Sequence, residues 1–195
     1  MMRIGVYLFD GAEELDWAGP WEVLAAWADQ YPDDGVEVFT LARGSREVRC
    51  AKGLQVRADF TWDDVPAIDV LVYPGGRATR HHLGDVKVRQ WLRALADGGT
   101  LMTSVCTGAL VLADAGLLDG AAATTHWAAL DELAALGEGI QVRGEERFID
   151  NGRVITAAGV SAGIDMALHL IARLHSLDRA RALRRYIQYD PQPPI

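Results

Sequence analysis

Cys106 lies in Thr103-Ser104-Val105-Cys106-Thr107-Gly108, directly after a short apolar run and directly before a helix-like one. A residue at such a junction is lifted out of a sheet by a sharp turn, as a nucleophile elbow requires. Free N–H groups at the start of the next helix would stabilise a thiolate there and lower its pKa. A small buried core cysteine is the competing reading. Cys50, beside Arg49 in a polar loop, has no such setting and reads as incidental.

Two other features could share a cleft with Cys106. Asp16, in Glu14-Leu15-Asp16-Trp17-Ala18-Gly19-Pro20, is either the N-cap of a helix or a carboxyl aimed at the thiol. In the second case apolar Leu15 and Trp17, together with a thiolate, would raise its pKa and suit it to proton transfer. Gly75-Gly76, after Pro74, is either a plain turn or a place where backbone N–H groups approach the reacting centre. It is no dinucleotide fingerprint, because the G-x-G-x-x-G spacing is absent.

Histidine decides which cysteine chemistry is open. Peptide or amide hydrolysis needs an imidazole as base and as proton donor to the leaving amine. Thr107, not histidine, follows Cys106. His169 and His175 fall on a late amphipathic stretch and read as structural or exposed. His81-His82 is a weak metal signal without carboxylate or thiol partners, so no metal is expected. His126, in Ala-Thr-Thr-His-Trp, is the one candidate to flank the cleft, and no acidic residue follows at a spacing that would orient it. Trp17 and Trp21 share one helical face, either in the core or as the wall of an apolar substrate pocket.

These residues need a scaffold. Ile4–Phe9, Val36–Leu41, Val70–Tyr73 and Leu101–Val105 read as strands, with Leu54–Ala58 as a short edge strand. Helices are expected from about Gly19-Pro20 through Trp27, then over Val86–Ala96, Thr107–Ala113, His126–Leu136, Ala162–Leu174 and Arg179–Ile187. Ile140–Ile155 reads as a hairpin turning at Asn151-Gly152. Strands alternating with helices imply an α/β fold, a doubly wound and mostly parallel sheet covered on both faces. Ligands in such sheets bind beyond the carboxyl ends of the strands, where Asp16, Gly75-Gly76 and Cys106 all lie.

The bulk numbers agree. The chain has 195 residues, half of them hydrophobic, and is expected to form one domain over 1–195. A net charge of −8 makes it a poor general ligand for nucleic acid. Arg179, Arg181, Arg184 and Arg185 read as a solvated helix face. The apolar run Val105–Leu118 is interrupted by Asp114 and too short for a membrane span. The N-terminus reads as a core strand rather than a leader, and two cysteines allow no disulfide framework, so the expected compartment is the cytoplasm.

The whole pattern resembles the ThiJ/PfpI superfamily, and within it the isocyanide hydratase branch. The resemblance rests on Leu15-Asp16, Gly19-Pro20-Trp21-Glu22-Val23-Leu24, Pro74-Gly75-Gly76 and Ser104-Val105-Cys106-Thr107-Gly108. It continues through Ala115-Gly116-Leu117-Leu118, Ala123-Thr124-Thr125-His126-Trp127, Ala162-Gly163-Ile164-Asp165 and the closing Tyr189-Asp190-Pro191-Gln192-Pro193-Pro194. It implies a flavodoxin-like fold, a homodimer, and hydration of an isocyanide to an N-substituted formamide without a cofactor. By that resemblance Cys106 is the nucleophile, Asp16 the general acid/base and Thr107 the residue beside the nucleophile. Gly75 and Gly76 would be the backbone-donor turn, while Trp17 and His126 are candidates to line the substrate pocket from the residue reading alone. Asp16-Trp17-Ala18 departs from relatives that carry smaller residues after the aspartate. Three alternatives stay open. One is a sensor like the N-terminal part of AraC-type regulators, whose DNA-binding half this chain is not expected to contain. The others are a redox sensor using Cys106 and a glyoxalase-like or other cysteine-dependent hydrolase.

Overall fold

The structure is a computed structural model that describes residues 1–192. Pro193 and Pro194 of the closing motif lie outside the described residues. The main sheet contains β1 (Met2–Leu8), β2 (Val36–Ala42), β5 (Phe60–Thr61), β6 (Val70–Tyr73), β7 (Leu101–Val105), β10 (Phe148–Asp150) and β11 (Val154–Ala157). Its order is β10-β11-β7-β6-β1-β2-β5, and every pair except β10–β11 is parallel. The five central strands thus run β2-β1-β6-β7-β11, the flavodoxin-like order, and the doubly wound reading holds.

The helices are α1 (Glu14–Gln30), α2 (Val86–Asp97), α3 (Gly108–Asp114), α4 (Leu130–Leu136), α5 (Ala162–Leu174) and α6 (Leu177–Tyr186). From β1 the chain crosses through α1 to β2 on one side; from β6 it crosses through α2 to β7 on the other. Right-handed crossovers in opposite directions place α1 and α2 on opposite faces of the sheet. Accordingly α1, α5 and α6 pack together, and α3 packs on both α2 and α4. Strands covered on both faces must be apolar throughout, and all four residues of β6 are buried. No helix among the described residues is long and apolar enough to cross a membrane.

Several elements depart from the sequence expectation. The first helix starts at Glu14, not near Gly19-Pro20, and holds Pro20 in its interior. Proline lacks the N–H that would bond the carbonyl four residues back, that of Asp16. The break is tolerated because the proline ring is clamped against α5. A Cβ on Gly163 would sit 3.0 Å from Pro20 Cγ and 3.1 Å from Val105 Cγ2. Gln55–Arg57 (β4) pairs with Glu47–Arg49 (β3) in a separate antiparallel ribbon, so it is no edge of the main sheet. The hairpin at Asn151-Gly152 is shorter than expected. Only β10 and β11 form it, while Gln141–Val142 (β9) pairs parallel with Ala122–Ala123 (β8). The stretch after His126 is a 3-10 turn over Trp127–Ala129 before α4. Arg179 is not on the solvated face. It pairs with Asp34 at 2.8 Å and lies 3.3 Å over the Tyr31 ring.

The Gly163 contact predicts the first outcome. Gly163→Leu inserts atoms between a rigid proline ring and Val105, and should destabilise the fold by about 2 kcal/mol. A guanidinium unfolding midpoint unchanged from wild type would show that α1 and α5 yield there.

Candidate active site

The site forms where the two winding directions diverge, between β1 and β6 and beside β7. Register sets it: Tyr73 lies opposite Ser104, and Val105 opposite Ala157. Gly75 and Cys106 therefore leave neighbouring strands at the same level. Cys106 has φ 57, in the left-handed region that non-glycine residues occupy at a cost of about 1–2 kcal/mol. Its N–H is shared between the carbonyls of Ala157 (3.1 Å) and Ala158 (3.0 Å). Its own carbonyl accepts the Thr125 hydroxyl at 2.8 Å. Gly108 completes the elbow, since a Cβ there would fall 2.4 Å from the Tyr73 carbonyl oxygen.

Asp16 is fully buried in the first turn of α1 and is not its cap; the N-cap position is Glu13. The Gly75 N–H donates to Asp16 Oδ2 at 2.9 Å, and Oδ1 has no hydrogen-bond partner among the described residues. Burial pushes the carboxyl up from 3.8 to about 7, against the opposing effects of the Gly75 N–H and the neighbouring Cys106 thiol. The thiol is also pushed up, from 9.0 to about 12, by burial first and by the Asp16 charge second. The N–H groups of Thr107 and Val160 favour the thiolate, as a helix start should, but burial outweighs them. The expected lowering of the thiol pKa is thus corrected. Buried side by side, the thiol and the carboxyl each make the other's ionisation less favourable.

The double glycine serves a different purpose from the one expected. The Gly75 N–H is committed to Asp16, and the Gly76 N–H donates to Thr107 Oγ1 at 2.9 Å. Neither is left to face the reacting centre. Thr107 donates back to the Gly76 carbonyl (3.0 Å), and the Thr79 hydroxyl lies 3.1 Å from Thr107 Oγ1. Glycine is required at both positions by close approach. A Cβ on Gly75 would meet Thr107 N at 2.6 Å, and one on Gly76, at φ 127, would meet the Gly11 carbonyl oxygen at 2.5 Å.

Cys106 opens into a cavity of about 320 Å³ lined by Thr107, Gly76, His126 and Val160, among others. His126 thus flanks the cleft as expected, but its Nδ1 accepts the Ala128 N–H at 3.2 Å and no carboxylate among the described residues orients it. Trp17 is not in the cavity wall. It is buried in the core, with its indole beside the buried Cys50 sulfur. His82 bonds the Tyr73 hydroxyl at 2.6 Å, while His169 pairs with Asp150 (2.8 Å) and His175 with Asp34 (3.3 Å). Sequence reasoning missed Glu13, Arg77 and Arg80 in the cavity wall, and Val160, whose φ of 47 no local pattern announces. The run of acids before Asp16 and the arginine after Gly76 were the signals available for Glu13 and Arg77.

Residues 2–173 match the model of the DJ-1/PfpI family. The chain belongs to that family. An isonitrile hydratase of Pseudomonas putida is 38% identical to it over 194 residues, covering 100% of this chain and 81% of that protein. The transcriptional regulator GbdR of Pseudomonas aeruginosa is 33% identical over 156 residues, but these span 77% of this chain and only 41% of the regulator. The crystal structure of a ThiJ/PfpI family protein from Pseudomonas syringae superposes with a TM-score of 0.88 at 30% identity. It covers 100% of this chain and 77% of that one.

The buried carboxyl has a pH signature. The unfolded chain ionises Asp16 near 3.8, the folded one near 7, so its contribution to stability is greatest below 3.8 and is lost as pH rises to about 7. Asp16→Asn removes that dependence. Between pH 5 and pH 8 the variant should gain on the order of 2 kcal/mol relative to wild type in urea unfolding. A difference constant across that range would mean the carboxyl titrates normally.

Proposed function

We propose that the protein is a cofactor-independent isocyanide hydratase, adding water to an isocyanide to give an N-substituted formamide. The observation that carries this is the Cys106–Asp16 pair: a buried thiol beside a buried carboxyl whose pKa is raised to about 7, with no imidazole paired to a carboxylate at the site among the described residues. A leaving amine needs a proton donor of the histidine type; an isocyanide releases no amine. The similarity to an isonitrile hydratase over the full chain supports the same substrate class.

In this reading the thiol proton passes to Asp16 as sulfur bonds the terminal isocyanide carbon. The carboxyl then delivers that proton to the same carbon, giving a thioimidate, R–N=CH–S–Cys106. Asp16, again a carboxylate, takes a proton from water as the oxygen adds to the carbon, and returns it to the nitrogen. Collapse of the adduct breaks the C–S bond, and the hydroxyl proton returns to sulfur through Asp16. The sum is R–NC plus water to R–NH–CHO. A carboxyl near pH 7 is suited to both directions of transfer. The Thr107 and Val160 N–H groups stabilise the sulfur anion each time it forms. Thr107 also ties the elbow to Gly76 and so fixes the sulfur relative to Asp16.

A homodimer and a cytoplasmic location belong to the same proposal. A ligand sensor is the second reading, favoured by the similarity to a regulator. A redox sensor is disfavoured, because oxidation follows exposure as well as thiolate character, and Cys106 is buried.

Incubated with an aryl isocyanide, the protein should consume it and release the formamide, measured by chromatography. Cys106→Ala should abolish turnover. Asp16→Asn should lower kcat by about 10²–10⁴-fold with the fold intact by circular dichroism. Isocyanide left untouched by wild type, while a dicarbonyl disappears, would transfer the site to glyoxalase-like chemistry.

A further inference from the structure

The cavity wall carries three formally charged side chains, Glu13, Arg77 and Arg80. Two are already neutralised. Glu13 pairs with Lys52, and Arg80 with Glu132 at 2.5 Å. Arg77 has no side-chain hydrogen bond or ion pair among the described residues. The other polar groups in the wall are also committed or are donors. The Thr107 hydroxyl is held by Gly76 and Thr79. His126 Nδ1 accepts from Ala128, which leaves Nε2 to carry the ring N–H. The open polar capacity of the cavity is therefore one free cation and one N–H donor, with no free carboxylate. This occurs in a chain whose net charge is −8. A neutral isocyanide has no use for that cation.

We propose that Arg77 makes the site selective for isocyanides that carry a carboxylate, held at the cavity mouth while the isocyanide carbon lies at Cys106. The inference rests on the hydratase reading. Arg77 follows Gly76, which is bonded to the residue after the nucleophile, so its backbone is fixed relative to the sulfur. The planar guanidinium matches a carboxylate with two parallel hydrogen bonds. Because the protein as a whole repels anions, a preference for them must come from this local cation. The carboxylate is remote from the reacting carbon and is bound alike in ground and transition states, so the preference lies in KM rather than kcat.

The test compares para-isocyanobenzoate with its uncharged methyl ester. Wild type should favour the carboxylate by about fivefold in kcat/KM, the scale of a solvent-exposed ion pair. Arg77→Gln should bring that ratio to about one, and Arg77→Glu should invert it. Arg143→Gln, an exposed arginine outside the cavity, should keep the wild-type ratio. Both substrates consumed with the same ratio in wild type and Arg77→Gln would overturn the inference and leave the hydratase reading standing. If neither is consumed the hydratase reading fails. Calorimetric binding of para-formamidobenzoate against its methyl ester then decides the anion preference without turnover. Equal affinity of wild type for the two overturns it, and tighter binding of the acid, lost in Arg77→Gln, upholds it.

Discussion

A carboxyl without exposure to solvent is the constraint on which the rest of the site is arranged. Asp16 is tolerable in the core because one backbone N–H, that of Gly75, points at it, and because it can hold a proton near neutral pH. That N–H is available only where β6 ends and the chain turns without side chains. The turn in turn is pressed so close to Thr107 that a single Cβ would collide. The elbow, the double glycine and the first turn of α1 therefore form one object. None of the three could shift without leaving a buried polar group unpaired, at about 1–3 kcal/mol for each.

Much of this was legible in the sequence, and the boundary has a physical cause. The four central strand runs were legible because strands covered on both faces must be apolar throughout, a rule that acts on each residue separately. Cys106 was legible because an elbow joins two patterns, a strand and a helix, in adjacent residues. The start of α1 was not, because a proline inside a helix is unfavourable locally and is tolerated here by Gly163, more than a hundred residues away. The direction of the thiol pKa was not legible either. A helix start favours the thiolate and is visible in the sequence, whereas burial by distant elements disfavours it more strongly and is not. Trp17 illustrates the same limit: its neighbour is Cys50, a contact that no spacing reveals.

The commitments of the glycine N–H groups alter how the chemistry must be supported. An oxyanion hole needs free donors aimed at the developing charge. Here Gly75 and Gly76 hold Asp16 and Thr107 instead, and the donors near sulfur belong to Thr107 and Val160. Stabilising the sulfur rather than a substrate oxygen suits an addition in which the protein's own atom carries the negative charge. It suits the tetrahedral oxyanion of amide hydrolysis poorly, which agrees with the lack of a carboxylate partner for His126 among the described residues.

Fold similarity cannot choose between an enzyme and a sensor, because hydratase and regulator share this scaffold. The proposed function rests instead on the site, through its proton. A module that only binds a ligand gains nothing from a buried carboxyl raised to about 7, and loses stability by keeping it at neutral pH. Holding Asp16 beside Cys106, at a site that also keeps a non-glycine residue in the left-handed region, has a consistent purpose if the carboxyl must both take and give a proton during each turnover. Under the proposed function the destabilised acid and the strained elbow share one purpose, chemistry at Cys106 rather than simple occupancy of the cavity.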